Sequence, residues 1–315
     1  MCAVLITSQK RIAMRLFCLF AISLFAFSSL FANDPIRVLS INVRYSTAND
    51  GVNRWENRKD FMTEIIVNGN YDFVGTQETL VHPSPEFNQV TFIASKLPGH
   101  GFLGRSREAN PDHGEAMMLY YKKERWRIDE TEQGTFWLSD TPDVPGSKTD
   151  PTAGCPRTVV FALFHELKDG QSTGRSIYVY NTHFDHLSEG ARQRGAKQLM
   201  DKIATRKNQD ASVVVIGDIN SGEQSASVRF MKGEPMTLDG QERTPPYKLV
   251  DTFREVHPDA VDVGTFNGFR APGREKIDYI FVSPSLRTLS AEIIRTQRDG
   301  RYPTDHFPVD AVIAW

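Results

Sequence analysis

Short apolar or alternating runs, spread along the whole 315-residue chain, most constrain its fold. Their length of about 5–10 residues and their β-branched and aromatic content predict strands rather than helices. The run Val213–Ile216 is apolar throughout, so it needs cover on both faces. The predicted strands are Arg37–Tyr45, Phe73–Gln77, Glu115–Tyr121, Thr158–Leu167, Ser176–Phe184, Val213–Gly217, Ile277–Ser283 and Phe307–Trp315.

Helical patterns separate some of these strands, at Arg54–Val67, Phe87–Leu97 and Ala191–Arg206. Two facing sheets with helices outside would accommodate this α/β mixture. Segments rich in Gly, Pro, Ser and Asp predict loops at Ser139–Pro156, Gly233–Pro246 and Asp299–Pro303. None of these loops is long or simple enough to be a domain linker, so residues 33–315 are predicted to form a single domain.

The first 32 residues differ from the rest. Three basic residues, Lys10, Arg11 and Arg15, precede an apolar run that ends at Ala32. This order is typical of a secretory signal peptide, and we predict one at residues 1–32, with a secreted or periplasmic protein as the result. An uncleaved anchor, or a true start at Met14, stays open as an alternative.

Removal of residues 1–32 would take away those three basic residues and no acidic ones. The remaining chain would hold 34 Lys and Arg against 39 Asp and Glu, a net charge of −5. Such a balance does not indicate a strongly basic groove for long nucleic acid. Cys155 would be the one cysteine left, so an internal disulfide is excluded.

Polar and ionisable residues lie at the ends of the predicted strands. Because strand ends converge at one edge of a sheet, these residues are expected to come together. Taken singly, such residues are more typical of turns. Together they would form a dense acidic site that needs a cation to offset mutual repulsion. Hard oxygen ligands favour Mg²⁺, or Mn²⁺ in its place, over Zn²⁺. The set comprises Asn42, Glu78, His183, Asp185, Asp218, Asn220, Asp278, Asp305 and His306.

In this order, the residues resemble the endonuclease/exonuclease/phosphatase superfamily, over roughly residues 36–315. The matching motifs are Gln77-Glu78, Gly217-Asp218-Ile219-Asn220, Ile277-Asp278-Tyr279 and Thr304-Asp305-His306-Phe307-Pro308, with Asn42, His183 and Asp185. The resemblance implies a deoxyribonuclease I-like four-layer α/β sandwich, with two facing, mostly antiparallel sheets and helices outside. Further motifs resemble an exported bacterial subgroup with deadenylase-like and sphingomyelinase-like cousins.

The resemblance also implies roles. Glu78 would be the principal metal ligand, with Asn42 and Asp305 near it. His306, polarised by Asp278, would hold the scissile phosphate. Asp218 would orient or deprotonate the attacking water, with Asn220 steadying it and His183 donating to a phosphate oxygen.

Four further residues are expected at or near the substrate, each with an ordinary structural alternative. Arg157 would contact phosphate, or be a solvated strand-end arginine. Asp185 would assist the site, or order its own loop. Asn267 would hydrogen-bond a substrate group, on a loop whose Phe269 could instead pack into the core. Glu115 would line the cleft, or be an exposed carboxylate at the start of a strand.

These features lead us to expect an exported, divalent-metal-dependent phosphoesterase. It would hydrolyse a phosphodiester or phosphomonoester by in-line attack of activated water, with a small-molecule substrate. A secreted nuclease acting on DNA or RNA, a sphingomyelinase-like lipid phosphodiesterase and a non-catalytic binding module stay open. We expect a monomer, without stable membrane insertion once the signal is removed.

Overall fold

The computed structural model describes residues Asp34 to Trp315, so the predicted signal peptide lies outside the described residues. One six-stranded sheet, the first sheet, has the order β13-β14-β1-β2-β4-β3. Neighbouring strands β1 and β2 are parallel, whereas β14 runs antiparallel to β1 and β4 to β2. Its strands are β1 (Ile36–Asn42), β2 (Phe73–Val81), β3 (His100–Ser106), β4 (Gly114–Lys122), β13 (Arg287–Ile293) and β14 (Val309–Ala314).

The second sheet also has six strands, in the order β11-β12-β8-β7-β6-β5. Among its described strands, β7 and β8 form a parallel pair and the other neighbours run antiparallel. Its strands are β5 (Trp126–Trp137), β6 (Thr158–Lys168), β7 (Gln171–His183), β8 (Ser212–Asp218), β11 (Val250–Asp251) and β12 (Asp278–Val282). The predicted pair of mostly antiparallel sheets is confirmed.

Five α-helices connect these strands: α1 (Trp55–Gly69), α2 (Gln89–Lys96), α3 (Glu189–Ala204), α4 (Ala226–Met231) and α5 (Thr252–Val256). Side chains cap several helix starts, since Asn88 accepts from the backbone N–H of Thr91 and Ser188 from that of Ala191. In residues 34–315, none of the helices has the length and apolar character needed to span a membrane.

Three hydrophobic clusters separate four layers. Residues of α1, α2 and the first sheet form one cluster, both sheets share the central one, and α3 and α4 pack on the outer face of the second sheet. Strand β8 shows why its sequence is apolar throughout. Val213 and Val215 face the outer cluster, while Val214 and Ile216 face the central one. The helix–sheet–sheet–helix arrangement confirms the expected four-layer sandwich.

A polar tie joins the two sheets beneath the end where the strands converge. Asn181 of β7 donates to the carbonyl oxygens of Thr76 (3.0 Å) and Met118 (2.8 Å), both in the first sheet. Gln77 in turn donates to Asn181 Oδ1 at 2.7 Å. Gly75 lies at this close approach, because a Cβ there would come within 2.6 Å of Ile216. These contacts fix the relative position of the sheets at the site.

The Gly233–Pro246 segment corrects one sequence expectation. It was predicted to be a loop, but it contains a short hairpin of β9 (Met236–Leu238) and β10 (Gln241–Arg243). Its turn residues Asp239 and Gly240 both have positive φ, 51° and 73°. An Asp-Gly pair favours this tight turn, so the dipeptide was the signal for the hairpin.

Candidate active site

Strand register brings the predicted residues of the second sheet together. His183 ends β7 opposite Asp218 of the parallel β8, and Asp278 begins β12 opposite the same Asp218. In the first sheet, Asn42 ends β1 opposite Gln77 of β2, next to Glu78. Asn42 Nδ2 then reaches across, lying 3.1 Å from both Glu78 Oε1 and Asp218 Oδ2. The two sheets therefore contribute to one site at one end of the sandwich.

Glu78 owes its position to a break in β2. The pairing of β2 with β4 shifts register between Thr76 and Thr79, where the two threonine hydroxyls are 2.6 Å apart. Glu78 lies in this bulge with φ 56°, a left-handed conformation that is uncommon for residues other than glycine. The bulge turns the carboxylate towards Asn42 and away from the regular sheet. Such local strain is typical of functional sites.

His306 and Asp278 form a buried hydrogen-bonded pair, with His306 Nδ1 2.9 Å from Asp278 Oδ2. Burial alone would lower the pKa of His306, but the carboxylates of Asp278 and Asp218 raise it well above its ordinary value. The ring is therefore an imidazolium, oriented by Asp278 and with Nε2 3.7 Å from Asp218 Oδ2. Such a charged donor suits contact with a phosphoryl oxygen.

Asp218 is buried among donors. Its Oδ1 accepts from the backbone N–H of Asn220 at 2.9 Å, and its Oδ2 accepts from Asn42. Burial and the neighbouring Asp278 carboxylate raise the pKa of Asp218. A carboxylate with a raised pKa is better suited to take a proton near neutral pH than an ordinary aspartate.

His183 and Asn220 form the third element of the site. Asn220 Nδ2 is 2.9 Å from His183 Nε2, and it also donates to the carbonyl oxygen of Phe184. Burial and the guanidinium of Arg157 hold the pKa of His183 well below its ordinary value, so the ring is neutral. With Nε2 accepting from Asn220, Nδ1 carries the proton, and it is buried without a hydrogen-bond partner among the described residues. An unused buried donor of this kind fits the expected contact with a phosphate oxygen.

Arg157 is only 3% exposed, yet it faces the cavity of the site. Its Nη2 lies 2.9 Å from His186 Nδ1, while Nε and Nη1 have no hydrogen-bond partner in the part of the chain that the structure describes. A buried guanidinium with unused donors is unlike a solvated strand-end arginine. The geometry supports the expected role of Arg157 as an anion contact.

Asp185 does not line the cavity. Its carboxylate accepts from the backbone N–H groups of Gly154, Leu187 and Ser188, all at 2.8–2.9 Å. Burial opposes ionisation, but these hydrogen bonds lower the pKa of Asp185. The geometry matches the structural alternative, in which Asp185 orders its own loop. Cys155, Asp185 and His186 lie close enough to hold a cation, but the saturated carboxylate and the adjacent Arg157 charge oppose one there.

Asn267 also lies behind the cavity wall and is buried. Its Nδ2 donates to the carbonyl oxygen of Thr304, and its Oδ1 accepts from the backbone N–H of Phe269 at 2.8 Å. Its backbone N–H donates to the carbonyl oxygen of Asp305 at 2.8 Å. Asn267 thus holds its own loop against Asp305, and no polar atom of its side chain is directed at the cavity.

Sequence reasoning missed Arg44 and Arg107 and left Glu115 open. Glu115 lines the cavity, and Arg107 Nη2 binds its Oε1 at 2.7 Å. Burial raises the pKa of Glu115, against the opposing effect of Arg107. Arg44 follows Asn42 and contacts Asp50, Glu78 and Asp305. An arginine just past a strand carries no special pattern, so only the fold shows that these side chains face the site.

The residues predicted to hold a metal fit a divalent cation that prefers oxygen. Of the predicted ligands, Glu78 belongs to a close group with Glu115 and His183, neither of them predicted as a ligand, whose ligand atoms lie within 4.8 Å of one another. Asp305 is buried nearby, and burial together with the Glu78 carboxylate raises its pKa despite His306. Such mutual repulsion is what a bound cation relieves. Asp218, Asp278 and His306 form a second close group, but His306 already hydrogen-bonds to Asp278, and Asp218 already accepts from Asn42.

Comparison with known proteins decides the family. The model of the Endonuclease/Exonuclease/phosphatase family matches residues 39–306. The chain belongs to this family. A solved endonuclease/exonuclease/phosphatase protein from Bacteroides vulgatus is 29% identical, covering 90% of this chain and 99% of that one, with a TM-score of 0.75. A mannosyl-6-phosphatase from Bacteroides thetaiotaomicron is 27% identical, covering 89% and 100%, with a TM-score of 0.71.

A curated relative, the uncharacterized protein L388 of Acanthamoeba polyphaga mimivirus, is 23% identical over 192 residues, 60% of this chain and 68% of the relative. Family membership confirms the predicted superfamily and its deoxyribonuclease I-like fold. This family member is a metal-dependent phosphoric ester hydrolase, as the sequence predicted.

Proposed function

We propose that the protein is an exported, Mg²⁺-dependent (or Mn²⁺-dependent) hydrolase of a small phosphomonoester. One observation carries the proposal. A single cavity of about 670 Å³ is lined by His183, Asp218, Asn220 and His306, by Glu78 and Asp305, and by the guanidinium groups of Arg44, Arg107 and Arg157. A volume of this size is typical of small-molecule sites. The proton-transfer groups, the expected metal ligands Glu78 and Asp305, and the anion-binding groups all face this space.

The chain's own residues divide the work as follows. The His306 imidazolium and Nδ1–H of His183 donate to phosphoryl oxygens, whose negative charge grows as water attacks. Asp218 lies beside both rings, its Oδ2 3.3 Å from His183 Nε2 and 3.7 Å from His306 Nε2, where it can accept a proton from water. Asn220 fixes the His183 tautomer, and Asp278 fixes the orientation of the His306 ring.

Glu78 and Asp305, with Asn42 beside them, would hold the cation. When bound, a divalent cation would offset negative charge on the phosphoryl and leaving oxygens. Arg44 crosses this acidic group, 3.9 Å from Glu78 Oε2 and 3.7 Å from Asp305 Oδ2. Its positive charge neutralises part of the negative charge of these carboxylates. The oxygen-rich donor set supports Mg²⁺ or Mn²⁺ rather than Zn²⁺.

Two further points support a small substrate over a polymer. The net charge of −5 expected after export disfavours long polyanions, whose binding relies on many basic contacts. The similar mannosyl-6-phosphatase bears a name that indicates a phosphorylated sugar as its substrate. A phosphomonoester of comparable size would fit the cavity.

Export is proposed from the basic and apolar segments of residues 1–32. Cell fractionation followed by N-terminal sequencing of the exported protein tests it. A new N-terminus close to residue 33, in the periplasm or the medium, would support export. An unprocessed chain retained in the cytoplasm would contradict it.

The catalytic proposal is tested by measuring hydrolysis by the purified protein with Mg²⁺, with Mn²⁺ and with a chelator. Mannose 6-phosphate, p-nitrophenyl phosphate, bis-p-nitrophenyl phosphate, a sphingomyelin analogue and plasmid DNA cover the alternatives. We expect metal-dependent release of phosphate from the monoesters. Cleavage of the diester, the lipid or DNA alone would replace the proposed substrate class.

A further inference from the structure

One wall of the cavity is largely unused in the hydrolysis described above, in which only its Arg44 has a task. It is formed by Arg44, Asp50, Phe266 and Phe269, and we call it the ring wall. It differs in composition from the part of the cavity lining formed by Arg107, Arg157 and His186. The ring wall combines two aromatic rings with one arginine–aspartate pair, which we call the fork, whereas the other part has ionisable side chains and no phenylalanine. The ring wall therefore offers a different kind of contact to a substrate.

The fork consists of Arg44 and Asp50. Arg44 Nε is 3.1 Å from Asp50 Oδ2, and Arg44 Nη2 is 3.0 Å from Asp50 Oδ1. Both side chains remain partly accessible, at 27% and 12%. Each Asp50 oxygen keeps a second lone pair, and Arg44 keeps a further N–H donor near the site. A fork of this kind can accept from one hydroxyl group and donate to its neighbour.

The aromatic part of the ring wall consists of Phe266 and Phe269, and the backbone of Phe269 is strained. Phe266 is 44% exposed, and its ring meets that of His306 edge to face, with centroids 5.1 Å apart. Phe269 has φ 59°, which is strained for a bulky residue. Asn267 holds this conformation, since its Oδ1 accepts from the backbone N–H of Phe269. The loop thus holds two phenylalanine rings at a polar cavity, and neither ring belongs to a hydrophobic core cluster.

Arg58 supports the ring wall from behind. This buried guanidinium donates to the backbone carbonyl oxygens of Val43, Arg44 and Asn53, at 2.7, 2.8 and 3.0 Å. Its charge also lies 5.7 Å from the centroid of the Phe269 ring. Burial lowers the pKa of Arg58 to about 10. Arg58 links the chain around Arg44 with the loop that carries Phe269, so the fork and the rings are positioned together.

We propose that the ring wall binds the sugar ring of a sugar phosphate, and so determines which phosphomonoester is hydrolysed. A sugar ring has an apolar C–H face, which packs on aromatic side chains, and adjacent hydroxyl groups, which match the donor and acceptor of the Arg44–Asp50 fork. Placed there, the ring lies beside His306, where its phosphate reaches the catalytic groups. The inference rests on the proposed phosphomonoesterase function and adds the substrate class.

The test compares kcat/KM for mannose 6-phosphate with kcat/KM for ethyl phosphate, which has neither ring nor hydroxyl groups. Two variants alter separate parts of the ring wall: Asp50→Asn removes the charge of the fork, and Phe266→Leu removes an aromatic face. Phe102→Leu is the matched control, because Phe102 is similarly exposed (50%) but lies on β3 and does not line the cavity. Thermal melting shows whether each variant is folded.

We expect the wild-type protein to prefer the sugar phosphate. Asp50→Asn and Phe266→Leu should each reduce this preference by roughly tenfold, mainly through a higher KM for the sugar phosphate, since a hydrogen bond to a charged group or a stacked ring is lost. Phe102→Leu should leave the preference as in the wild type. Folded ring-wall variants that keep the wild-type preference would overturn the inference while leaving the phosphomonoesterase proposal standing. No hydrolysis of either ester by the folded wild-type protein would overturn both.

Discussion

The two ends of the sandwich both bury charged side chains, but they complete their hydrogen bonds differently. At the end opposite the site, Asp72 precedes β2 and Glu166 lies near the end of β6, with Arg125 between them. Asp72 accepts from the backbone of Arg37, from Trp126 Nε1 and from Arg125. We call Asp72, Arg125 and Glu166 the closed cluster.

Glu166 in the closed cluster is equally well partnered. Its Oε1 accepts from Arg125 at 2.8 Å, and its Oε2 accepts from Arg175 and Thr173 at 2.7 and 3.0 Å. At the active-site end, by contrast, His183 Nδ1, Asp278 Oδ1 and two nitrogens of Arg157 are buried without partners among the described residues. Unpartnered buried atoms also occur elsewhere, as at Tyr180 Oη and Trp315 Nε1, but these four lie together at the active site, where a ligand can complete their hydrogen bonds. The closed cluster stabilises the fold, whereas the active-site end, which we call the open end, performs the chemistry.

The largest effect on activity is expected for a substitution at the open end. His306→Ala removes a charged donor to the phosphoryl group and should lower kcat/KM by about 10²–10³-fold, while the protein stays folded. Steady-state kinetics with a phosphomonoester and circular dichroism measure the two quantities. Wild-type kcat/KM in a folded variant would remove His306 from the catalytic site.

A change in the closed cluster should show the opposite pattern. Asp72→Asn removes a buried charge that pairs with the partly buried Arg125, and it should lower the free energy of unfolding by about 3 kcal/mol. Activity per folded molecule should be unchanged, because no residue of the closed cluster lines the cavity. Denaturant unfolding and kinetics on the same sample test this. A large loss of kcat without loss of stability would erase the distinction between the two ends.

Glu78→Gln should act on metal affinity. Replacing a carboxylate by an amide removes a charged oxygen ligand, and we expect the Mg²⁺ concentration that gives half-maximal activity to rise by about 10–100-fold. Calorimetric titration of Mg²⁺ checks the affinity without turnover. Glu115→Gln is the matched control, since Arg107 already pairs with that carboxylate, and it should have the smaller effect. Equal effects of the two variants would mean that Glu78 is not the principal ligand.

The smallest effect is expected for an exposed ion pair. Glu64 and Arg298 contact each other on the surface, with about half of each side chain accessible. Exposed pairs contribute little to stability because water and salt screen them. Glu64→Gln should therefore change neither the unfolding midpoint nor kcat/KM measurably. A loss of stability as large as that of Asp72→Asn would show that burial does not explain the difference between the Glu64–Arg298 and Asp72–Arg125 ion pairs.

The sequence predicted the interior strands and missed the edges of both sheets. Each predicted strand corresponds to β1, β2, β4, β6, β7, β8, β12 or β14, which all have a neighbour on both sides. The strands β3, β5, β11 and β13 lie at the four edges. An edge strand is partly exposed and often carries charged residues or glycine. Strand β5, for example, contains Asp, Glu, Thr and Gln in its middle, so it lacks the apolar run that predicts a strand.

The candidate site divides in a similar way. His183 and Asp218 end apolar strands and Asp278 begins one, so the sequence pattern predicts their positions well. Glu78 lies in the bulge of β2, next to the apolar run that indicated it. The roles of Asp185 and Asn267 depend on which backbone groups their side chains reach, and sequence alone does not encode those contacts. Arg44 and Arg107 lie just past β1 and β3, which two other strands separate in the first sheet, yet both side chains line the cavity. Long-range side-chain contacts of this kind become visible only in the folded protein.

The most direct test of the account is to titrate Mg²⁺ into the chelator-treated protein and measure the initial rate of phosphate release from mannose 6-phosphate. We expect no release without metal and a rate that rises to saturation as Mg²⁺ is added, because the open end needs a cation to complete its acidic site. Full activity in the presence of chelator would contradict the account. So would a folded protein that stays inactive with Mg²⁺ and with Mn²⁺.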